Sequence, residues 1–198
     1  MCGPSRVKSS PGIAVRLHGA EIIEVAALRS GATAAQRFGT GCGEPLPAFG
    51  RVTLGSHQLA LSVRPARWLL VDPDASDVPS ARAARWRAGC TASAVVTELS
   101  SALCAFTVTG IQVREMLARG CRLDLDPQVF PPGSAAATVM AQVPVILAAL
   151  PHAMLLLTPA STAAHFGEWL DATARPFGRM QVIEMEKLFS GKTVERYL

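Results

Sequence analysis

The stretch Val143–Leu157 constrains this chain more than any other feature. It is almost wholly apolar, yet Pro144, Pro151 and His152 interrupt it. A membrane-crossing helix needs about 20 consecutive apolar residues, so this stretch is too short and too broken to serve as one. Proline inside a helix removes a hydrogen bond and clashes with the preceding turn. Two buried strands around a Pro151-His152 turn are the reading that remains.

The rest of the chain reads as a mixture of strands and helices around that core. Residues 1–12 form a polar tail with no apolar stretch of the kind a signal peptide carries. Ile13 to Leu17 alternates apolar and polar as a half-buried strand does. Residues 21–37 place Ile22, Val25, Ala26 and Leu28 at helical spacing, and 38–49 is a glycine- and proline-rich loop. Val52 to Val63 predicts a hairpin around Gly55-Ser56, and Arg67 to Val71 a strand ending at Asp72-Pro73. Asp77 is placed to cap a helix running to Ala88.

Ala94–Leu99 and Ala102–Val108 read as strands on either side of Ser100-Ser101. Ile111 to Arg119 predicts a helix with Val113, Met116 and Leu117 inward and Gly120 as its C-terminal cap. Ala136–Ala149 and Ala153–Leu157 are the next two strands. Thr158 is expected to cap a helix beginning at Pro159, with the stripe Ala163, Phe166, Trp169 and Leu170. Residues 176–198 form an extension with a short helical segment over 182–189. Strands and helices that mix without strict alternation predict an α+β fold rather than a doubly wound parallel sheet.

Charge and cysteine usage exclude several functions. The net charge is only +4, and the densest basic cluster, Arg82, Arg85 and Arg87, is offset by Asp72, Asp74 and Asp77. A solvated helix face or a protein interface fits better than nucleic acid. The five cysteines, Cys2, Cys42, Cys90, Cys104 and Cys121, contain no CxxC pair. Buried free thiols in a reducing cytoplasm are expected, with no zinc site or redox dithiol.

Catalytic motifs fail on their context. Gly191-Lys192-Thr193 matches the end of a phosphate-binding loop, but Glu186 stands where its first glycine belongs. Gly39, Gly41 and Gly43 lack the dinucleotide spacing and run into Pro45 and Pro47. No GxSxG elbow exists. His18, His57, His152 and His165 form no i, i+4 pair for a metal and are read as surface or turn residues. Asp124 and Asp126 would share a face of an extended segment, where one could acquire a raised pKa. The alternative is turn chemistry before Pro127, each aspartate accepting a backbone N–H. No catalytic, cofactor-binding or metal residue is assigned.

A succession of segments carries a family likeness. Glu98-Leu-Ser-Ser-Ala-Leu-Cys-Ala-Phe-Thr-Val-Thr-Gly110 is followed by Ile111-Gln-Val-Arg-Glu-Met-Leu-Ala-Arg-Gly-Cys121. Next come Arg122-Leu-Asp-Leu-Asp-Pro127, Phe130-Pro-Pro-Gly133 and Ala137-Thr138. With Arg67-Trp-Leu-Leu70, Pro159-Ala-Ser161 and Trp169-Leu170, this order resembles the sarcosine oxidase gamma subunit family over roughly residues 13–175.

The resemblance implies two intertwined small subdomains, halves roughly 13–92 and 93–175, in the folate-binding aminomethyltransferase-like fold. It implies a non-catalytic structural subunit of a heterotetrameric amine oxidoreductase of the sarcosine oxidase or N-methylglutamate dehydrogenase type. Such a complex oxidatively demethylates an N-methyl amino acid and passes the one-carbon unit to tetrahydrofolate. FAD, FMN, NAD, zinc and tetrahydrofolate are expected in other subunits. Those are a large folate- and dinucleotide-binding alpha-type, a flavin-binding beta-type and a small zinc-binding delta-type subunit. The extension 176–198 is a possible docking segment. No membrane or nucleic acid is expected as a partner. The alternative is a stand-alone folate-binding one-carbon transfer protein, for which Asp124, Asp126 or Glu98 would supply the carboxylates.

Overall fold

The computed structural model describes residues 12–28, 31–55, 58–73 and 81–178. The polar N-terminal tail, Ser56, Asp77, Gly191-Lys192-Thr193 and the segment 182–189 lie outside these residues.

Two five-stranded antiparallel sheets face each other. The first contains β2 (Glu21–Ala27), β3 (Arg51–Leu54), β4 (Leu59–Arg64), β5 (Arg67–Asp72) and β6 (Ala94–Glu98), in the order β3-β4-β5-β2-β6. The second contains β1 (Ala14–His18), β7 (Leu103–Thr109), β8 (Ala135–Met140), β9 (Val143–Ala149) and β10 (Ala153–Pro159), in the order β1-β7-β10-β9-β8. The chain therefore starts in one sheet, builds the other, and returns. Residues 13–92 and 93–175 each contribute strands to both sheets. Helices α1 (Ala32–Gly41) and α2 (Ala81–Gly89) cover the outer face of the first sheet. Helices α3 (Val113–Ala118) and α4 (Ala163–Ala174) cover the outer face of the second. The α+β class expected from the sequence is the class observed.

This layering accounts for the long apolar run. In β10, Met154 and Leu156 point to the helices α3 and α4, while Ala153, Leu155 and Leu157 point to the other sheet. Successive residues of a strand face opposite ways, so a strand covered on both sides loses its alternation. The same holds in β2, where Ile22 enters the inter-sheet core and Ile23 and Val25 the core under α1 and α2. Burying each such side chain stabilises the fold by about 1.5–3 kcal/mol.

Several sequence expectations need correction. Within the stretch read as one helix over 21–37, Glu21–Ala27 is strand β2 and α1 starts only at Ala32. The apparent helical spacing comes from a strand buried on both faces. The loop expected over 38–49 begins only after Gly41, because α1 carries Phe38 inward against Trp86, edge to face with ring centroids 5.1 Å apart. The single strand expected over 136–149 is the β8–β9 hairpin. Its turn residues Ala141 and Gln142 both have positive φ, 49° and 64°, a conformation for which Asn-Gly is the usual signal. Thr158 is no helix cap. It lies inside β10, and its hydroxyl sits 3.3 Å from that of Thr162. A one-turn helix, Ala160–Thr162, separates it from α4.

The glycines of the family-like segments have structural reasons. Gly133 has φ of 88°, and its carbonyl accepts the N–H of Val52 at 3.0 Å. The Ala135 N–H bonds Gly50 O at 2.8 Å, so this corner ties one sheet to the other. Gly120 does not take the left-handed cap conformation. A Cβ there would lie 2.4 Å from the indole of Trp169, so the close approach of α4 demands glycine.

Gly120→Ala is expected to destabilise the chain by about 2 kcal/mol, because the added methyl must displace the half-buried Trp169 ring from its packing against the core. Urea unfolding followed by Trp fluorescence checks this, and an unchanged midpoint would contradict the packing argument.

Candidate functional site

The sandwich is not closed everywhere. At the β4–β5 turn the two sheets leave a cleft of about 200 Å³. Leu61, Val63 and Leu69 line it from the first sheet, Leu103 and Ile146 from the second, and Leu99 and Ala102 from the connection between them. Three charged residues join this apolar lining: Glu24, Arg64 and Arg67. The Arg67 guanidinium donates to Glu24 at 3.1 Å. This pair is partly exposed, with side-chain exposures of 49% and 20%, so it orients the rim more than it stabilises the fold.

The turn that forms the rim is held in place. The Ser62 hydroxyl lies 3.1 Å from Arg64 O and 2.9 Å from Arg67 O. Ala66 adopts φ of 56°, and its carbonyl accepts the Ala27 N–H at 2.9 Å. Beneath the cleft, Trp68 is buried and donates its indole N–H to Pro47 O at 2.8 Å.

The carboxylates considered for folate chemistry do not converge there. Asp124 accepts the N–H of Asp126 at 2.9 Å, and Asp126 accepts that of Gln128 at 2.8 Å. The pair therefore does turn chemistry. Arg114 holds the same loop by donating to Leu125 O and Phe130 O at 2.7 and 2.8 Å. Glu98 ends the edge strand β6 and is exposed.

The basic cluster divides: Arg85 and Arg87 are exposed, as a solvated helix face requires, while Arg82 turns inward. Arg82 retains only 12% side-chain exposure and ion-pairs with Glu21 at 2.9 Å, with Asp72 at 2.7 Å and with Glu44 at 3.8 Å. Glu44 also takes hydrogen bonds from Arg85 and from the Trp86 indole. A buried charge of this kind is tolerable only when paired. The network locks α2 onto β2, β5 and the segment after α1.

Of the histidines, His152 lies exposed in the β9–β10 turn and His165 on the exposed side of α4, while His57 is outside the described residues. His18 corrects the surface expectation. It is buried, and its Nε2 lies 2.8 Å from the Thr107 hydroxyl. Burial, aided by the nearby Arg16 charge, lowers its pKa to about 4.

Among the described cysteines only Cys90 is buried, and burial pushes its thiol pKa up. Cys42, Cys104 and Cys121 are half-buried free thiols, and Cys2 is outside the described residues. Among the described residues, no three His, Cys, Asp or Glu side chains gather as metal ligands. No described helix is long and apolar enough to cross a membrane.

Two facing antiparallel sheets with helices on both outer sides define a four-layer α+β protein. The same fold occurs in a chain of the heterotetrameric sarcosine oxidase from Corynebacterium sp. U-96, solved with pyrrole 2-carboxylate. That chain matches with a TM-score of 0.73 at 21% identity, over 86% of this chain and 88% of its own. The glycine cleavage system aminomethyltransferase T from Bartonella henselae matches with a TM-score of 0.61 at 13% identity, over 83% of this chain and 47% of its own. No curated protein matches the sequence. The model of the sarcosine oxidase, gamma subunit family matches residues 27–175, and the chain belongs to that family.

The buried neutral His18 makes stability depend on pH. Above its unfolded pKa of about 6.5 the ring is neutral in both states and contributes nothing. As pH falls towards 4, the unfolded chain takes up a proton that the folded chain refuses, so stability drops. The loss is complete below about pH 4 and amounts to roughly 3 kcal/mol. His18→Gln is expected to flatten the fall in melting temperature between pH 6.5 and 4. Parallel curves for the two proteins would contradict the assignment.

Proposed function

We propose that this chain is a non-catalytic structural subunit of a heterotetrameric sarcosine oxidase-type amine oxidoreductase. Family membership over residues 27–175 carries the reading. The nearly end-to-end fold match to a chain of such an oxidase supports it. In this reading the oxidative demethylation of an N-methyl amino acid takes place in other subunits, in the cytoplasm. Those subunits are a large folate- and dinucleotide-binding chain, a flavin-binding chain and a small zinc-binding chain. They hold the FAD, FMN, NAD, zinc and tetrahydrofolate.

The polar residues of this chain support that division of labour. Arg82, Glu44, Glu21 and Asp72 are committed to one internal network, and Asp124 and Asp126 to a turn. A general acid–base pair must lie within reach of a shared reacting atom. Glu98 ends the edge strand of the first sheet, while Asp124 and Asp126 share the turn after α3 and are engaged by its backbone N–H groups. A stand-alone folate enzyme would need such a pair together in one cavity.

Co-expression of the tagged chain with the other three oxidase subunits is expected to return all four in one species on size-exclusion chromatography. A chain that elutes alone as a monodisperse monomer in the presence of those subunits would contradict the proposal. Micromolar binding of tetrahydrofolate to that monomer would favour the one-carbon transferase instead.

A further inference from the structure

We propose that the inter-sheet cleft receives a single apolar side chain, flanked by a carboxylate, from a partner subunit. The inference rests on reading the chain as a subunit, and it names the surface and chemistry of one contact.

The cleft has the wrong size for a cofactor. At about 200 Å³ it falls below the roughly 300–1,000 Å³ typical of small-molecule pockets. One leucine- or phenylalanine-sized side chain fits. The lining also differs from the rest of the inter-sheet core. Elsewhere Leu59, Leu155 and Leu157 are at most 1% exposed. Here Val63, Leu99, Leu103 and Ile146 stay partly open to solvent. An apolar concavity of this kind gains free energy when a fitting group expels its water.

Charge identifies the neighbour of that group. The Glu24 carboxylate is already engaged by Arg67 at 3.1 Å. Arg64 lines the same rim, and among the described residues no carboxylate pairs with it. The rim thus carries one excess positive charge, which an Asp or Glu beside the inserted side chain would neutralise. The turn is already fixed by Ser62 and by the Ala66–Ala27 hydrogen bond. Little ordering entropy is then lost on binding, which is how preorganised sites gain affinity.

The test uses the assembled complex. Ala102→p-benzoylphenylalanine places a photoreactive group at the exposed edge of the cleft. Irradiation is expected to link it to a segment of another oxidase subunit in which an apolar residue has an Asp or Glu within two positions. In parallel, Arg64→Glu is expected to weaken assembly about tenfold, as reversal of a complementary charge does. Arg64→Lys should retain most of the affinity, and Arg122→Glu, outside the cleft, should match the unmodified chain.

A complex that forms with no link from Ala102 to a partner would overturn the proposal and leave the subunit reading standing. So would a link only to residues 179–198 of this chain or to a second copy, a link to a segment without a carboxylate, or unimpaired assembly by Arg64→Glu. Failure of the unmodified chain to assemble would overturn both.

Discussion

The contact between the two sheets is the constraint on which the structure depends. Each sheet has two apolar faces, and each face must be removed from water. The inner faces meet through Ile22, Leu59, Leu61, Leu69 and Val71 on one side and Ala105, Ala148, Leu155 and Leu157 on the other. Small residues on the second sheet let the backbones approach, and the Val52–Gly133 and Ala135–Gly50 hydrogen bonds fasten one corner. Only then do the outer faces become platforms for α1 with α2 and α3 with α4. At the β4–β5 turn this contact stays incomplete and leaves the cleft.

Polar chemistry in the molecule serves the same layering. Arg82 and its three carboxylates fasten α2 to the first sheet. Arg114 and the Asp124 and Asp126 turns fasten the loop after α3 beside the second. Breaking a buried ion pair by removing one partner costs about 3–5 kcal/mol, so these residues are under structural constraint. Groups held this firmly are poorly suited to moving protons for a substrate. The open, apolar cleft, whose rim carries a net excess of one positive charge, is suited to recognising another protein.

Much of the architecture was legible in the sequence, and the failures have physical causes. β1, the β3–β4 hairpin, β5, β6, β7 and α3 follow from local pattern and turn residues. β2 was misread as helix because Ile22 and Ile23 are both buried, on opposite faces, which erases the period of two. The β8–β9 turn was missed because Ala141-Gln142 lacks the glycine or asparagine that normally marks positive φ. Asp124 and Asp126 were legible as turn residues from the following proline. Burial of Arg82 was not, since Glu21 and Glu44 come to it from distant positions. The cleft was invisible for the same reason: its lining comes from β2, β4, β5, β7, β9 and a loop, and no local spacing links them. The family likeness was legible because its Gly120 and Gly133 stand where packing and backbone admit little else.

The central claim is that this chain contributes shape and contact to an oxidase, not chemistry. Native mass spectrometry of the purified complex, followed by gas-phase release of its subunits, tests it most directly. The account predicts that this chain is present in the intact assembly and leaves it at the mass of its polypeptide alone. Release of the chain with a flavin, pterin or dinucleotide attached would contradict it.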